Sequence, residues 1–544
     1  MTNRAAFIEA ERARDGEWGL EATCLRNFPT TGLKHARQSG VTMGPGDAAI
    51  MIDSKDPSTA AVGTEPQQGW ADNPIVSLLD RMEHEGCLYV SWKNNHELLQ
   101  SLAGESDLDL FVPRRFRRVF VTLCSESGWV NLENPVAQFP HISHHYRVSS
   151  NGTIHHLHVY FKVVTGETWL KEFVLPFGDF LLENRVRSEV GGVWILSPPA
   201  QAYLFMIRHL LKAGSLTSRR LYKKDIDSYE AEWRLCGRSA TQTASLGPID
   251  LTRYLVGAGL DRGDFKRASF VTAIQCRLSL LPFLRLRLSA LVFHRVAALS
   301  TRISNLIWYR KKKVFPRGGF VVALTGVDGS GKSTMLNEMA DFYSQFLTVE
   351  RYQLGRPQGA LTETVRGFFA RRRGSTDPAA RVSGGKKSVP STTSKAVRAV
   401  ALSALRLRMA RRATRSASRG HLVLVDRWPT AILGKMDGPQ IVVDDDRSRM
   451  IVRLCGALER WAYSRMPRAD VCLVLTLPLH TAVNRNRLRV KQGKETDQEI
   501  KWRFETNEKI LPLAERVVEF HNDGELELMR DRLLLVTWGE LAAQ

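Results

Sequence analysis

The sequence predicts an α/β protein built from two α/β domains joined by a basic helical connector, with a parallel sheet in the second domain. Three observations carry this. After residue 316, short apolar runs alternate with helical stretches, the pattern of a parallel sheet covered on both faces. Between the first such run and the first helix lies a G-x-x-x-x-G-K-S loop, Gly326 to Ser333. Between about residues 75 and 215, strand-like and helical segments mix without that regular alternation.

The loop comes first because each of its residue types has a physical task. Phe320 to Thr325 is apolar and partly β-branched and reads as a buried strand. From Lys332 onward, Leu336, Met339, Ala340 and Tyr343 follow helical spacing. Gly326, Gly329 and Gly331 let backbone N–H groups turn inward towards phosphate oxygens. The helix N-terminus adds unpaired donors and its positive dipole end. Lys332 brings a mobile charge to the outer phosphates, and the Ser333 hydroxyl suits Mg²⁺. Asp328, Ser330 and Thr334 complete the expected ATP-binding stretch, Gly326 to Thr334.

Ahead of this loop, residues 1–74 show no sustained periodicity. Met43-Gly-Pro-Gly and Asp56-Pro-Ser-Thr are loop-like, so a disordered tail is expected, or an over-long start with translation beginning at Met43 or Met51. The N-terminus has no apolar signal core, and the seven cysteines are scattered with no C-x-x-C pair. That excludes a disulfide framework and a zinc ribbon and fits a reducing cytoplasm.

The first domain is expected over residues 75–215. Helices are predicted at 76–85, 96–102 and 198–212. Strands are predicted at Cys87–Trp92, Leu108–Val112, Val119–Leu123 and Ile154–Val164, with Trp169–Leu175 pairing onto the last. Asp107 and Asp109, two apart on a strand, point to the same side and could share a Mg²⁺. His156 and His158 share a strand face, which leaves a histidine metal site or simple pairing on the sheet as alternatives.

Residues 216–315 read as helical and basic. Arginines interrupt the leucine-rich stretch Cys276–Tyr309, leaving uncharged runs well short of the ~20 residues a membrane span needs. Peripheral membrane contact by an amphipathic helix stays open, and Pro282 should end the first helix. In the second domain, 316–544, strands are expected at Leu347–Gln353, His421–Val425, Asp470–Leu477 and Arg516–Phe520. Helices are expected at 396–418, 480–515 and 525–541.

The net charge of +21 is unevenly placed. Residues 371–420 hold fourteen Lys/Arg and one acid, Asp377, a net +13. A flexible basic insert at 371–395 is therefore expected rather than a folded nucleic-acid face, and no nucleic-acid partner is predicted.

The spelling Thr325-Gly-Val-Asp-Gly-Ser-Gly-Lys-Ser-Thr334 resembles thymidylate kinases, whose loop commonly reads D-G-x-G-K-x-T. Three later stretches fit in order: Leu354-Gly-Arg356-Pro-Gln-Gly359 with Arg366; Asp426-Arg427-Trp428 at a strand end; and Leu477-Pro478 followed by Arg485, Arg487, Arg489, Asp497 and Glu499. The resemblance, over about 316–544, implies a P-loop nucleoside-monophosphate-kinase fold. It implies Mg²⁺ on Ser333 and Asp426, Arg427 between donor and acceptor, a lid with Arg485, Arg487 and Arg489, and an acceptor phosphate held by Arg356 or Arg366. After Trp428, however, the chain reads Pro429-Thr-Ala-Ile-Leu-Gly, without the Ser/Ala/Tyr/Gln stretch by which the family reads thymine. A nucleotide or related small molecule is thus expected as acceptor.

The Asp107-Leu-Asp109 strand is similar to that of polymerase-β-like nucleotidyltransferases, over about 76–212. Lys93-Asn94-Asn95 stands where the family has its glycine turn, and the 155–158 histidines stand near its third carboxylate. The resemblance implies nucleotidyl transfer consecutive with phosphorylation, or a degenerate domain that only binds. Opposed to an enzyme is a regulatory ATP-binding protein whose basic insert engages an anionic partner.

Overall fold

The computed structural model describes residues 70, 72–135, 138–167, 170–213, 239–257, 259, 269–285, 293, 295–296, 300, 303, 312–327, 329–355, 392–443, 450–488, 497–506 and 511–543. The tail expected at 1–74 falls almost wholly outside them. So do the basic insert, most of the basic connector, and Asp328, Arg356, Arg366 and Arg489.

Asn73 caps the first described element, its side chain accepting from the N–H groups of Ile75 and Val76 at the start of α1 (Pro74–His84). There follow β1 (Val90–Ser91), α2 (Leu98–Ala103), β2 (Leu108–Phe111), α3 (Arg117–Glu126), β3 (Val130–Leu132), β4 (Ile142–Val148), β5 (Ile154–Tyr160), β6 (Val163–Thr165), β7 (Phe173–Leu175), α4 (Gly178–Glu183), β8 (Arg185–Arg187), β9 (Trp194–Leu196) and α5 (Pro198–Ala213). Seven strands form one mixed sheet in the order β3-β4-β5-β2-β1-β9-β8, while β6 and β7 pair separately.

One expectation fails here. Val119–Leu123 is not a strand but the middle of α3. Phe120, Leu123 and Cys124 face the core at helical spacing, and Val119 and Val121 are exposed. Tertiary burial of that stripe overrides the β-branched run. The predicted strand Cys87–Trp92 shrinks to two residues, and Ile154–Val164 breaks into β5 and β6, the second pairing with β7.

Beyond α5, the described part of the connector holds α6 (Ala240–Ala244) and α7 (Phe270–Ser279). A 3₁₀ turn containing Pro282 follows α7 directly, as the missing proline N–H requires. Cys276 and Leu280 join the core that also holds Tyr203, Leu210 and Leu211 of α5.

The C-terminal half contains β10 (Val321–Gly326), α8 (Lys332–Tyr343), β11 (Val349–Gln353), α9 (Thr392–Ala417), β12 (Leu422–Asp426), α10 (Met450–Ser464), β13 (Ala469–Thr476), α11 (Leu479–Leu488), α12 (Asp497–Thr506), β14 (Ala514–His521) and α13 (Leu526–Ala542). Its five strands are all parallel, in the order β11-β12-β10-β13-β14. Strand β10 is central and buried along its whole length. The chain is therefore a mixed α/β protein containing a fully parallel sheet.

The two halves share a core. Val130, Leu132, Tyr146 and Val148 from β3 and β4 pack with Leu336, Met339, Tyr343, Phe346 and Trp538. Tyr146 stacks on Phe346 with centroids 5.2 Å apart, and Trp538 Nε1 donates to the Gly128 carbonyl at 3.1 Å. The entering segment stitches both sides: Val314 pairs with Glu133, and Lys313 with Leu347. This seam joins the halves among the described residues, while most of the basic stretch Cys276–Tyr309 lies outside them.

Candidate functional site

The glycine loop leaves the C-terminal end of central β10, where open parallel sheets place ligands. Gly326 has φ +146°, and a Cβ there would lie 2.4 Å from the Leu475 carbonyl oxygen. Gly331 has φ +84°, and its Cβ would lie 2.6 Å from Asn522 Nδ2. Both positions admit only glycine, so the loop can pass close to its neighbours. Asn522 is buried just beyond β14 and donates to the Ser330 carbonyl at 2.7 Å, bracing the loop from outside. Lys332 opens α8 with its side chain buried, its Nζ donating to the Val327 carbonyl at 2.6 Å. Ser333 and Thr334 are exposed in the first turn.

Asp426 is the last residue of β12, paired in register with Leu324 of β10. Its Oδ2 accepts from Gln353 Nε2 at 3.4 Å, while Oδ1 is buried and finds no hydrogen-bond donor among the described residues. An orphaned carboxylate oxygen beside a phosphate loop fits a cation or its water shell. Ser333 and Asp426 are thus the residues that would hold Mg²⁺.

Arg427 follows at φ +68°. It reaches Asp437 Oδ2 at 3.3 Å and Met436 Sδ at 2.8 Å. The other Asp437 oxygen is 2.6 Å from Arg406 Nη2 of α9, a buried pair. Arg406 also donates to the Leu354 and Gly355 carbonyls at 3.1 Å each and to Tyr463 Oη at 2.8 Å. Asp437 thus carries two guanidiniums beside the end of β12. Of the expected lid arginines, Arg485 donates to the Asn522 carbonyl at 2.9 Å, and its Nη1 would lie 3.9 Å from a Gly331 Cβ. Arg487 is exposed and paired with Asp497 at 2.5 Å. The structure therefore brings Gly326, Gly329, Ser330, Gly331, Lys332, Asp426 and Arg485 to one sheet end, and Arg487, on the same helix as Arg485, pairs with Asp497.

The aspartate pair of the first half lies in a second polar cluster. Asp107 directly precedes β2 and Asp109 lies within it, and their carboxylates come together with His158 Nδ1, all three donor atoms within 4.8 Å of one another. Asp109 Oδ1 is 2.7 Å from Lys93 Nζ and 2.9 Å from His158 Nδ1, and Asp109 Oδ2 accepts from Asn94 at 3.2 Å. Asp107 Oδ2 is 3.4 Å from the same imidazole nitrogen. His158 pairs in register with Asp109, so it, and not His156, stands beside the acid where a third carboxylate was sought. The donor set suits a divalent ion only if Lys93 is displaced from Asp109. Burial alone would raise both aspartates. The hydrogen bond from His158 and the charge of Lys93 outweigh it, and both carboxyls lie below their usual range.

Imidazoles line the rest of this face. His144 Nδ1 and His156 Nε2 are 3.0 Å apart, and His156 stacks on Tyr146 at 4.2 Å. Burial holds His144, His156 and His158 below the ordinary imidazole value, so they are neutral near pH 7. Lys93 and Lys171 both donate to Tyr160 Oη, at 3.0 and 3.2 Å. Burial and the neighbouring Lys93 bring Lys171 down to about 7. Burial brings Lys313 down to about 8, against the charge of Asp107.

No protein-family model matches the chain, and no curated protein matches its sequence. Among solved structures, the chain is similar to a thymidylate kinase from Candida albicans, with TM-score 0.24 and 16% identity over 41% of this chain and 90% of that one. It is similar also to a thymidylate kinase from Ehrlichia chaffeensis, with TM-score 0.23 and 15% identity over 40% of this chain and 98% of that one. No helix among the described residues is long and apolar enough to cross a membrane.

Sequence reading missed Arg406, Asp437 and Asn522. Nothing local marks the first two, since Arg406 sits among other basic residues of α9 and Asp437 in a glycine-flanked loop. Asn522 had one available signal: it directly follows the last parallel strand, on the ligand-facing side of such a sheet.

Proposed function

We propose that the C-terminal half transfers the terminal phosphoryl group of ATP, as its Mg²⁺ complex, to a nucleotide or a related small acceptor. One observation supports this above the others. The loop Gly326–Ser333 ends central β10, and the next strand ends in Asp426, whose buried Oδ1 lacks a donor. Phosphoryl transfer needs positioning and charge neutralisation rather than covalent chemistry from the protein. Loop N–H groups bind the phosphates, and Lys332 neutralises the outer ones. Ser333 and Asp426 hold Mg²⁺, which neutralises phosphate charge. Arg485 sits against Gly331, where charge on the transferring group must be met. Arg427 and Arg406, fixed by Asp437, form the cationic wall beside the acceptor. Arg356 and Arg366 remain proposed acceptor contacts, and Arg489 a proposed lid contact. Nucleotidyl transfer at Asp107 and Asp109 is not part of the proposal, because Lys93 engages Asp109 and His158 stands beside it.

The test is an acceptor screen with ATP and Mg²⁺ across nucleoside monophosphates and small hydroxylated metabolites. Product should form in the wild type and fall at least a hundredfold with Lys332→Ala. Equal turnover by the variant refutes the reading.

A further inference from the structure

We propose that the polar cluster on the histidine-bearing face of the first sheet binds a phosphate dianion, free or as a monoester, without a metal ion. The alternation of β5 sets the face: Leu157 and Val159 point into a core, while His156, His158 and Tyr160 share the opposite face with His144 and Tyr146 of β4. Its two carboxylates already have cationic or hydrogen-bonding partners. Lys93 lies 2.7 Å from Asp109, the place a divalent ion would take, and His158 Nδ1 spans both acids at 2.9 and 3.4 Å. Asp107 and Asp109 act here as counter-ions that hold Lys93 and His158 in position.

Two ammonium groups remain. Among the described residues, no carboxylate lies within ion-pairing distance of Lys171 or Lys313. Lys171 is held at φ +43°, a left-handed conformation unusual for lysine, and it turns onto Tyr160 Oη instead of an acid. Because Lys93 bonds the same oxygen, the Lys93 and Lys171 ammonium groups are no more than about 6 Å apart. One phosphate group accepting a bond of about 2.8 Å from each cation spans that distance. Lysines this close and partly buried repel one another and have lost hydration, which an anion between them would offset. Burial and the charges of Lys93 and Lys313 lower Lys171, while burial is what lowers Lys313. The His144–His156 pair shares a proton over 3.0 Å and adds a neutral donor to the rim. Lys313 belongs to the segment that enters the C-terminal half, so the ligand would touch both halves.

The experiment uses the full chain carrying Lys332→Ala, which weakens the other phosphate loop. Inorganic phosphate and phenyl phosphate are titrated by calorimetry in EDTA. Saturable binding is expected, weakened at least tenfold by Lys171→Met and separately by Lys313→Met, and largely kept by Lys171→Arg. Tighter phenyl phosphate identifies a monoester, and tighter inorganic phosphate the free ion. Lys171→Met removes a buried charge and should melt no lower than its parent, so lost binding will not reflect unfolding. The proposal is overturned by absence of binding in EDTA or by affinities indifferent to both lysines. It is equally overturned by binding that appears only with added Mn²⁺ and vanishes in Asp107→Asn. Kinase turnover by the unmutated loop is read separately, so the failure of one proposal leaves the other standing.

Discussion

Replacing Tyr146 by alanine tests whether the two halves are one cooperative body. Tyr146 is only 6% exposed. It sits between Phe346 of the C-terminal half, at 5.2 Å, and His156 of the first sheet, at 4.2 Å. Removing a buried aromatic ring costs about 3–5 kcal/mol, of which stacking supplies roughly 1. Tyr146→Phe keeps ring and stacking and should cost under about 1 kcal/mol. The assay is urea unfolding combined with hydrogen exchange read separately in peptides from β4 and from α8. In Tyr146→Ala both peptides should lose protection by a similar free energy, because Met339, Tyr343 and Trp538 share the same core. Loss confined to β4, with α8 unchanged, would show that the seam is a contact between independent units and refute the reasoning.

Two further outcomes follow from buried charge. Arg406→Met leaves Asp437 buried without its closest partner and should destabilise the chain by about 3–5 kcal/mol in urea, whereas Arg487→Ala, at an exposed pair, should leave the unfolding midpoint unchanged. Lys171 faces Lys93, Lys313, Asp107 and Asp109 and releases its proton from about pH 7 in the folded chain, whereas the unfolded chain holds it up to about 10.5. The unfolded state thus binds more protons in that window, so Lys171 makes stability rise with pH from 7 to 9.5; the slope should flatten in Lys171→Met, and an unchanged slope would count against the buried ammonium.

The C-terminal half was legible because its signals are local. The β10–loop–α8 unit announces itself through glycine spacing and a change of hydrophobic period, and β12 ends on Asp426 as the Asp-Arg-Trp run implies. The first half was harder to read. Its strands are short, and five of them, β3, β6, β7, β8 and β9, hold only three residues each, too few to show a period. Strand β4 reads Ile-Ser-His-His-Tyr-Arg-Val, and its polar histidines hide a strand whose partner, β5, is equally histidine-rich. The error at α3 is of another kind, a β-branched run turned helical by the core it meets.

Site chemistry divides along the same line. Lys332 opens the helix that follows β10, and Asp426 ends β12, so sequence order is enough to place them. Arg406 and Asp437 meet across 31 residues, Asn522 and Ser330 across 192, and Lys93 and Tyr160 across 67. Such pairs exist only once the sheets have set their registers. The D-x-D strand shows the consequence most sharply. Two aspartates on one strand face read as a metal site while their surroundings are unknown. The fold then delivers Lys93 from the turn after β1 and His158 from β5 to the same carboxylate. With Asp109 already engaged at 2.7 Å by an ammonium group, charge balance turns from cation binding to anion binding, and Lys171 and Lys313 become the groups that seek a partner.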